Sequence, residues 1–322
     1  MTKIKSEKIG LALGSGGARG LAHIGVLKAL EEKNIKVDYI SGCSMGALIG
    51  GAYAMGMPVA EIERIALQTD WKLMAKILSP TLSTSSFLKD KYLLEFLETY
   101  FKGKTFNSLH IPFSSIATDI ETGEMVVIEK GYLAPAIRAS ISIPMIFSPV
   151  KFGQSTLVDG GLVNPTPVNI VNEHNVDKII AVNLMNLGPI KPKITKDVNT
   201  QKDLSNSSFK EKLKCFVHLS DNSSNDKKLA NSDVNLHYGK ILNQMLIIVQ
   251  AQMAKLTMEI VKPDILIEPH TRAYNFFDFQ KGRELIDIGY QTAKAKFNEY
   301  NLEVHKNRNL GMLGKDKDKN GK

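Results

Sequence analysis

Residues 42–46 read Gly-Cys-Ser-Met-Gly, a serine set between two glycines at G-x-S-x-G spacing. A serine hydroxyl is a poor nucleophile unless it is exposed and has a base within hydrogen-bond reach. A tight strand-to-helix turn gives the exposure. The flanking glycines admit neighbouring backbone without a Cβ clash, and the following helix brings its free N–H groups and positive dipole end to the same point. On these grounds Ser44 is the candidate nucleophile, Gly42 and Gly46 shape its turn, and Met45 stands beside it as a candidate substrate contact. Five residues carry little weight alone, since the same types also suit an ordinary glycine-rich apolar helix.

Two further stretches have chemical potential. Gly14-Ser15-Gly16-Gly17-Ala18-Arg19-Gly20 follows a short apolar run. Peptide N–H groups in such a turn can converge on an anion, either a phosphate or the oxyanion of a tetrahedral intermediate. The phosphate alternative has some support, because Gly14-x-Gly16 with Asp38 about twenty residues on mimics a dinucleotide fingerprint. Against it, Arg19 stands where the third glycine belongs, and the second strand runs straight into the serine turn. The other stretch is Val158-Asp159-Gly160-Gly161, an acid at a strand end followed by two glycines. Alone it reads as a turn; beside a serine elbow and an oxyanion loop, Asp159 becomes a candidate base.

The elements that must position these groups follow from periodicity and punctuation. Lys8 to Leu13 reads as a buried strand, with a helix from Ala22 to about Lys33. Val37 to Ser41 reads as a second strand, with a helix to about Met55. Two successive strand, glycine turn and helix units predict an α/β domain with parallel strands. Pro58 is expected in the first turn of another helix. Leu88–Phe101 and Tyr132–Ser140 read as helices, and Phe113–Thr118, Met125–Glu129, Phe147–Val150, Ser155–Val158, Lys178–Leu184 and Asp264–Ile267 as strands. Ile241 to Ile260 reads as a Met-rich apolar helix, a core element or a lid. Residues 39–60 carry no charge, yet their glycines and Pro58 fit a buried strand-turn-helix better than a membrane span.

Composition narrows the classes. The chain has 322 residues, 43% of them hydrophobic, enough for a substantial core. Its net charge of +8 is concentrated in appendages: residues 186–235 hold nine lysines against six acids, and the stretch from His305 has six basic residues against two acids. No basic face with groove-reading or stacking residues emerges, so nucleic acid is not an expected partner. Contact of the basic segments with an anionic membrane surface is the sharper alternative to mere solvation. Cys43 and Cys215 are the only cysteines and the first residues lack a signal-peptide core, so a cytoplasmic location with peripheral membrane contact is expected. No metal-ligand spacing occurs, and neither metal nor cofactor is expected.

GSGGARGLAHIGVLKAL, GCSMG, RASISIP and DGGLVNPTPV, in that order, resemble the patatin-like phospholipase family, in particular bacterial members related to the catalytic domain of neuropathy target esterase. The resemblance extends over roughly residues 8–298. It implies a three-layer α/β/α fold with a mainly parallel central sheet and a serine acyl hydrolase that uses a Ser-Asp dyad on phospholipid or lysophospholipid esters. Carried onto this chain, the nucleophile is Ser44, the base Asp159, and the oxyanion donors the N–H groups of Gly16, Gly17 and Ala18. Arg19 is then a basic residue beside that hole, and Gly160 and Gly161 complete the acid's turn. The expected organisation is an extension over 1–7, a hydrolase domain over 8–300 with a polar insertion at 186–235, and a basic, disordered tail over 301–322. The alternative function is a nucleotide- or phosphate-binding regulatory module in which Ser44 is structural. A histidine-containing triad is disfavoured because no histidine, His23 included, has an evident partner.

Overall fold

A computed structural model of the chain describes residues 7–69, 86–144, 146–186 and 230–315. The chain divides into two compact units, one formed by residues 1–186 with 243–322 and a smaller one of residues 187–242. Of the smaller unit only 230–242, the start of a helix, is described. Most of the expected polar insertion therefore lies outside the described residues.

The larger unit is built on one sheet. Its strands are β1 (Ile9–Leu13), β2 (Tyr39–Cys43), β3 (Phe113–Asp119), β4 (Met125–Ile128), β5 (Val150–Phe152), β6 (Ser155–Asp159), β7 (Lys178–Val182) and β8 (Ile265–Ile267). The order is β5-β6-β3-β2-β1-β7-β8, with β4 paired to β3 as well. Strands β3, β2, β1, β7 and β8 run parallel, while β4, β5 and β6 are antiparallel to their neighbours. The helices are α1 (Ala22–Glu32), α2 (Met45–Ala54), α3 (Val59–Gln68), α4 (Ser86–Phe101), α5 (Leu133–Ser140), α6 (Val168–Asn172), α7 (Ala230–Ile260) and α8 (Gly282–Lys315).

Period-two alternation in the central strands sorts the helices onto both faces. Leu11 and Leu13 of β1 join Ile40, Ile180 and Val182 in the main core with α1 and α8. Ala12 faces the other way, clustering with Tyr39, Ile179 and Ala181 against Val168 and Val171 of α6 and Met258 of α7. The result is a mixed α/β fold of three layers, as the sequence predicts. Small residues set the closest helix contact: a Cβ on Gly25 of α1 would lie 1.9 Å from the Ile286 carbonyl oxygen of α8, and one on Gly289 would lie 2.0 Å from that of Ala22.

Several expected boundaries move, and β2 spans Tyr39–Cys43 where the sequence suggests Val37–Ser41. Pro58 is the N-cap of α3, with ψ 140°, and not part of its first turn. The strand expected from Phe147 begins only at Val150. Pro149 has no N–H to give a ladder, and the Ser148 carbonyl instead accepts Nη2–H of Arg138 at 3.0 Å. Helix α8 continues to Lys315, into the stretch read as a basic tail. Among the described residues no helix is long and apolar enough to cross a membrane.

Candidate active site

Strand β3 brings the serine turn and the acid together. Ser115 and Ile116 pair with β4 on one side and with β2 on the other; Ala117 and Thr118 pair with β4 on one side and β6 on the other. Strands β2 and β6 therefore share one edge of β3 end to end, β6 taking over where β2 leaves. Cys43 lies opposite Ile116, and Asp159 lies opposite the next residue, Ala117. The chain leaves β2 at Ser44, so the hydroxyl and the carboxylate meet at the handover. Ser44 Oγ donates to Asp159 Oδ2 at 2.6 Å.

Ser44 sits at a true elbow. Its φ of 55° and ψ of −120° lie in a region that costs a non-glycine residue of order 1–3 kcal/mol, so the surroundings must over-determine it. They do so through Ser140 at the end of α5, whose Oγ accepts the Ser44 N–H at 2.9 Å and donates to the Ile116 carbonyl at 2.5 Å. Gly46 is required because a Cβ there would lie 2.1 Å from the Leu13 carbonyl oxygen, where α2 starts directly over the end of β1. Cys43 is turned away, buried with Ile116 and Ile170, and burial pushes its thiol pKa well up.

Asp159 is fixed on every side. Its Oδ1 accepts the Gly161 N–H at 2.7 Å, its own N–H donates to the Ser142 carbonyl at 3.0 Å, and its carbonyl accepts Thr118 Oγ1 at 3.0 Å. Only 2% of Asp159 is exposed. Burial pushes its carboxyl pKa up to about 6, against the opposing pull of the bonds from Ser44 and Gly161. Gln250 of α7 covers this turn: a Cβ on Gly161 would be 2.9 Å from both Asp159 Oδ1 and Gln250 Nε2, and Gln250 Oε1 is buried without a partner.

The glycine loop is pinned on both sides of two free donors. Upstream, a single peptide group is held at both ends: the Gly14 carbonyl accepts His23 Nε2–H at 2.7 Å, and the Ser15 N–H donates to the Pro165 carbonyl at 2.7 Å. Downstream, the Ala18 N–H donates to the Phe276 carbonyl at 2.8 Å. Between these pins the N–H groups of Gly16 and Gly17 have no acceptor among the described residues, as expected at the open N-terminal end of a helical turn. Of the three donors expected from the sequence, two are thus available and Ala18 is spent on Phe276. Gly17 has φ 56°, and a Cβ there would meet the Phe276 carbonyl oxygen at 2.6 Å.

His23 anchors the glycine loop. Side chains in a first helical turn point back toward the N-terminus, which carries its ring to the Gly14 carbonyl. Burial lowers its pKa to about 4, so it is a neutral donor through Nε2. Among the described residues no histidine bonds to Ser44 or Asp159.

Arg19 is not among the residues that line the cleft beside Ser44. It is 4% exposed, with Nη2 3.5 Å from Met185 Sδ, Nε unpartnered and no carboxylate partner among the described residues. Burial lowers its pKa. Met45, by contrast, lines an apolar cleft with Ser44 and Gly17 and with Leu48, Phe96, Phe147, Phe276 and Phe277 among its walls. Arg138 braces that wall: Nη2 bonds to Asp90 Oδ1 of α4 at 2.7 Å and Nη1 to Ser142 Oγ at 2.5 Å. Asp38, the acid of the dinucleotide alternative, precedes β2 at the end of the strand opposite the glycine loop, where its Oδ2 accepts the Ile9 N–H at 2.9 Å.

The family model of patatin-like phospholipases matches residues 11–172, from β1 through α6, and so takes in the glycine loop, the elbow and the Asp159 turn. The chain belongs to this family. An uncharacterised NTE family protein of Mycobacterium tuberculosis is 37% identical over 179 residues, 56% of this chain and 49% of its own length. Human patatin-like phospholipase domain-containing protein 6 is 29% identical over 310 residues, 91% of this chain and 20% of that protein. The chain thus spans about half the length of the mycobacterial relative and about a fifth of the human one. The crystal structure of VipD from Legionella pneumophila aligns with a TM-score of 0.45 and 13% identity, covering 91% of this chain and 67% of that one. Family membership gives a common context to the four motifs. Ser140, His23 and Gln250 are the additions of the fold; the first two lie inside those motifs, while nothing in the sequence marks Gln250.

Proposed function

We propose that the chain is a serine acyl hydrolase that cleaves carboxylic ester bonds of phospholipids or lysophospholipids through Ser44 and Asp159. The observation that carries this reading is the 2.6 Å bond from a strained elbow serine to a buried carboxylate, next to free peptide donors and an apolar cleft. Ser44 Oγ attacks the ester carbonyl carbon while its proton passes to Asp159 Oδ2. The negative charge that forms on the carbonyl oxygen is met by the N–H groups of Gly16 and Gly17. Collapse breaks the ester C–O bond, and the leaving alcohol takes the proton from Asp159. Water then attacks the acyl-serine, giving its proton to Asp159; collapse releases the fatty acid and returns the proton to Ser44.

The raised pKa of Asp159 favours this role, because a carboxylate near 6 is a better base at neutral pH than one near 4. A lipid substrate also suits the exposed apolar residues of α7, Met245, Ile248, Val249, Leu256 and Ile260, which support contact with a lipid surface. The test is a fluorophosphonate probe, which reacts with activated serines. Labelling of the full chain that disappears in Ser44→Ala is the expected result; absence of labelling in the wild type would refute the hydrolase and favour a phosphate-binding module.

A further inference from the structure

The cleft beside Ser44 does not end where the elbow does. A second apolar pocket lies among α1, α2, α3 and α4, walled by residues such as Ile24, Ala52, Met57, Ile62 and Ile65. The two pockets share Met45, Leu48, Thr69 and Phe96 and so adjoin across these side chains. Thr69 adds no polarity to the partition, because its hydroxyl is spent on the Ile65 carbonyl at 2.7 Å.

The two pockets are laid out along one helix. Met45, Leu48, Ile49 and Ala52 follow the i, i+3, i+4, i+7 spacing of a single face of α2. The first two touch both pockets and the last two only the second. This stripe starts next to Ser44 and leads away from it. Met45, an unbranched thioether with three rotatable bonds, stands at its head and can yield to a chain.

We infer that the α2 stripe measures the acyl group: with its carbonyl carbon at Ser44, the chain runs past Met45 and Leu48 and places its distal carbons in the second pocket, beside Ala52. This rests on the hydrolase reading above and adds the subsite that takes the distal end of the acyl chain and the chain length it favours. The length follows from geometry. Eight residues from Ser44 to Ala52 rise about 12 Å along the helix. An extended alkyl chain with bonds of about 1.5 Å advances roughly 1.3 Å per carbon, so about nine or ten carbons reach Ala52.

The test compares nitrophenyl esters from butanoyl to hexadecanoyl in mixed micelles of fixed detergent, using the full chain. For the wild type, kcat/KM rises from butanoyl to decanoyl by up to about fourfold per methylene withdrawn from water. Ala52→Phe fills the second pocket from α2, and Met57→Trp fills it from the turn after α2. Each is expected to lower kcat/KM for dodecanoyl and longer esters at least tenfold while leaving butanoyl hydrolysis at the wild-type level. A wild-type profile flat beyond butanoyl, or an unchanged profile in both variants, would overturn the inference and leave the hydrolase standing. Wild-type protein that hydrolyses none of the esters would overturn both. Should both variants fail to fold, the wild-type profile alone decides.

Discussion

Replacing Asp159 by asparagine should inactivate the protein and, at neutral pH, make it more stable. Asparagine keeps the shape of the acid: its oxygen can accept the Gly161 N–H and its amide can donate to Ser44 Oγ, so neither of the hydrogen bonds at 2.7 and 2.6 Å is orphaned. What disappears is a buried negative charge. Near pH 3 the carboxyl is protonated in both the folded and the unfolded chain, and burial carries no penalty. As the pH rises, the unfolded chain ionises first, around the ordinary aspartate value of 3.8, while the native state resists until about 6. Asp159 thus favours folding fully below about 3.8, and that contribution is lost as the pH climbs through about 6. The gap of about two pKa units amounts to about 3 kcal/mol. Urea unfolding of wild type and Asp159→Asn across this range is the assay. The variant should match the wild type near pH 3 to 4 and exceed it by up to about 3 kcal/mol near pH 8, a stability gained by giving up function. Ester hydrolysis by the wild type should rise with pH with a midpoint of about 6, since only the carboxylate can take the serine proton. Equal stabilities at both ends of the range, or a variant that retains normal turnover, would refute the account of Asp159 as a buried base.

His23→Phe should lower kcat about tenfold to a hundredfold with little change in KM, because losing the bond to Gly14 frees the loop that aims the Gly16 and Gly17 donors; His23→Gln should recover most of it, and equal losses in the two variants would reduce His23 to packing. Gly25→Ala forces a methyl to within 1.9 Å of the Ile286 carbonyl oxygen, so α1 and α8 must part. A loss of about 1–3 kcal/mol or more in urea unfolding is expected, and an unchanged midpoint would show that the helix contact is looser than described.

Local order was open to inspection in the chain itself. Strand β1, the glycine loop, α1, β2 and the elbow follow one another between Ile9 and Gly46, and each is announced by apolar period or glycine punctuation. Ser44 could be nominated from such signals alone. Asp159 taken alone reads as a turn; the elbow serine and the glycine loop made it a candidate, and the family resemblance gave it the role of base. Boundaries were misplaced beside Pro58 and Pro149, and also at β2, which starts two residues later than its apolar run suggests and continues into the elbow. For the loop, sequence similarity nominated three donors, but it could not reveal that the Phe276 carbonyl, far along the chain, claims one of them.

Sequence by itself determined the fold class, the elbow and the chemical types at hand. Tertiary structure decided which of them meet. The hydroxyl and carboxylate are separated by 115 positions, and they come within 2.6 Å because β6 takes over the edge of β3 one residue beyond the point where β2 leaves it. Burial then decided the protonation of Asp159, the neutrality of His23 and the placement of Arg19 against Met185 instead of in the cleft. The physical reason is range: propensity and periodicity act over a turn or a strand, whereas strand register and desolvation depend on partners that only the assembled sheet and its helical layers supply.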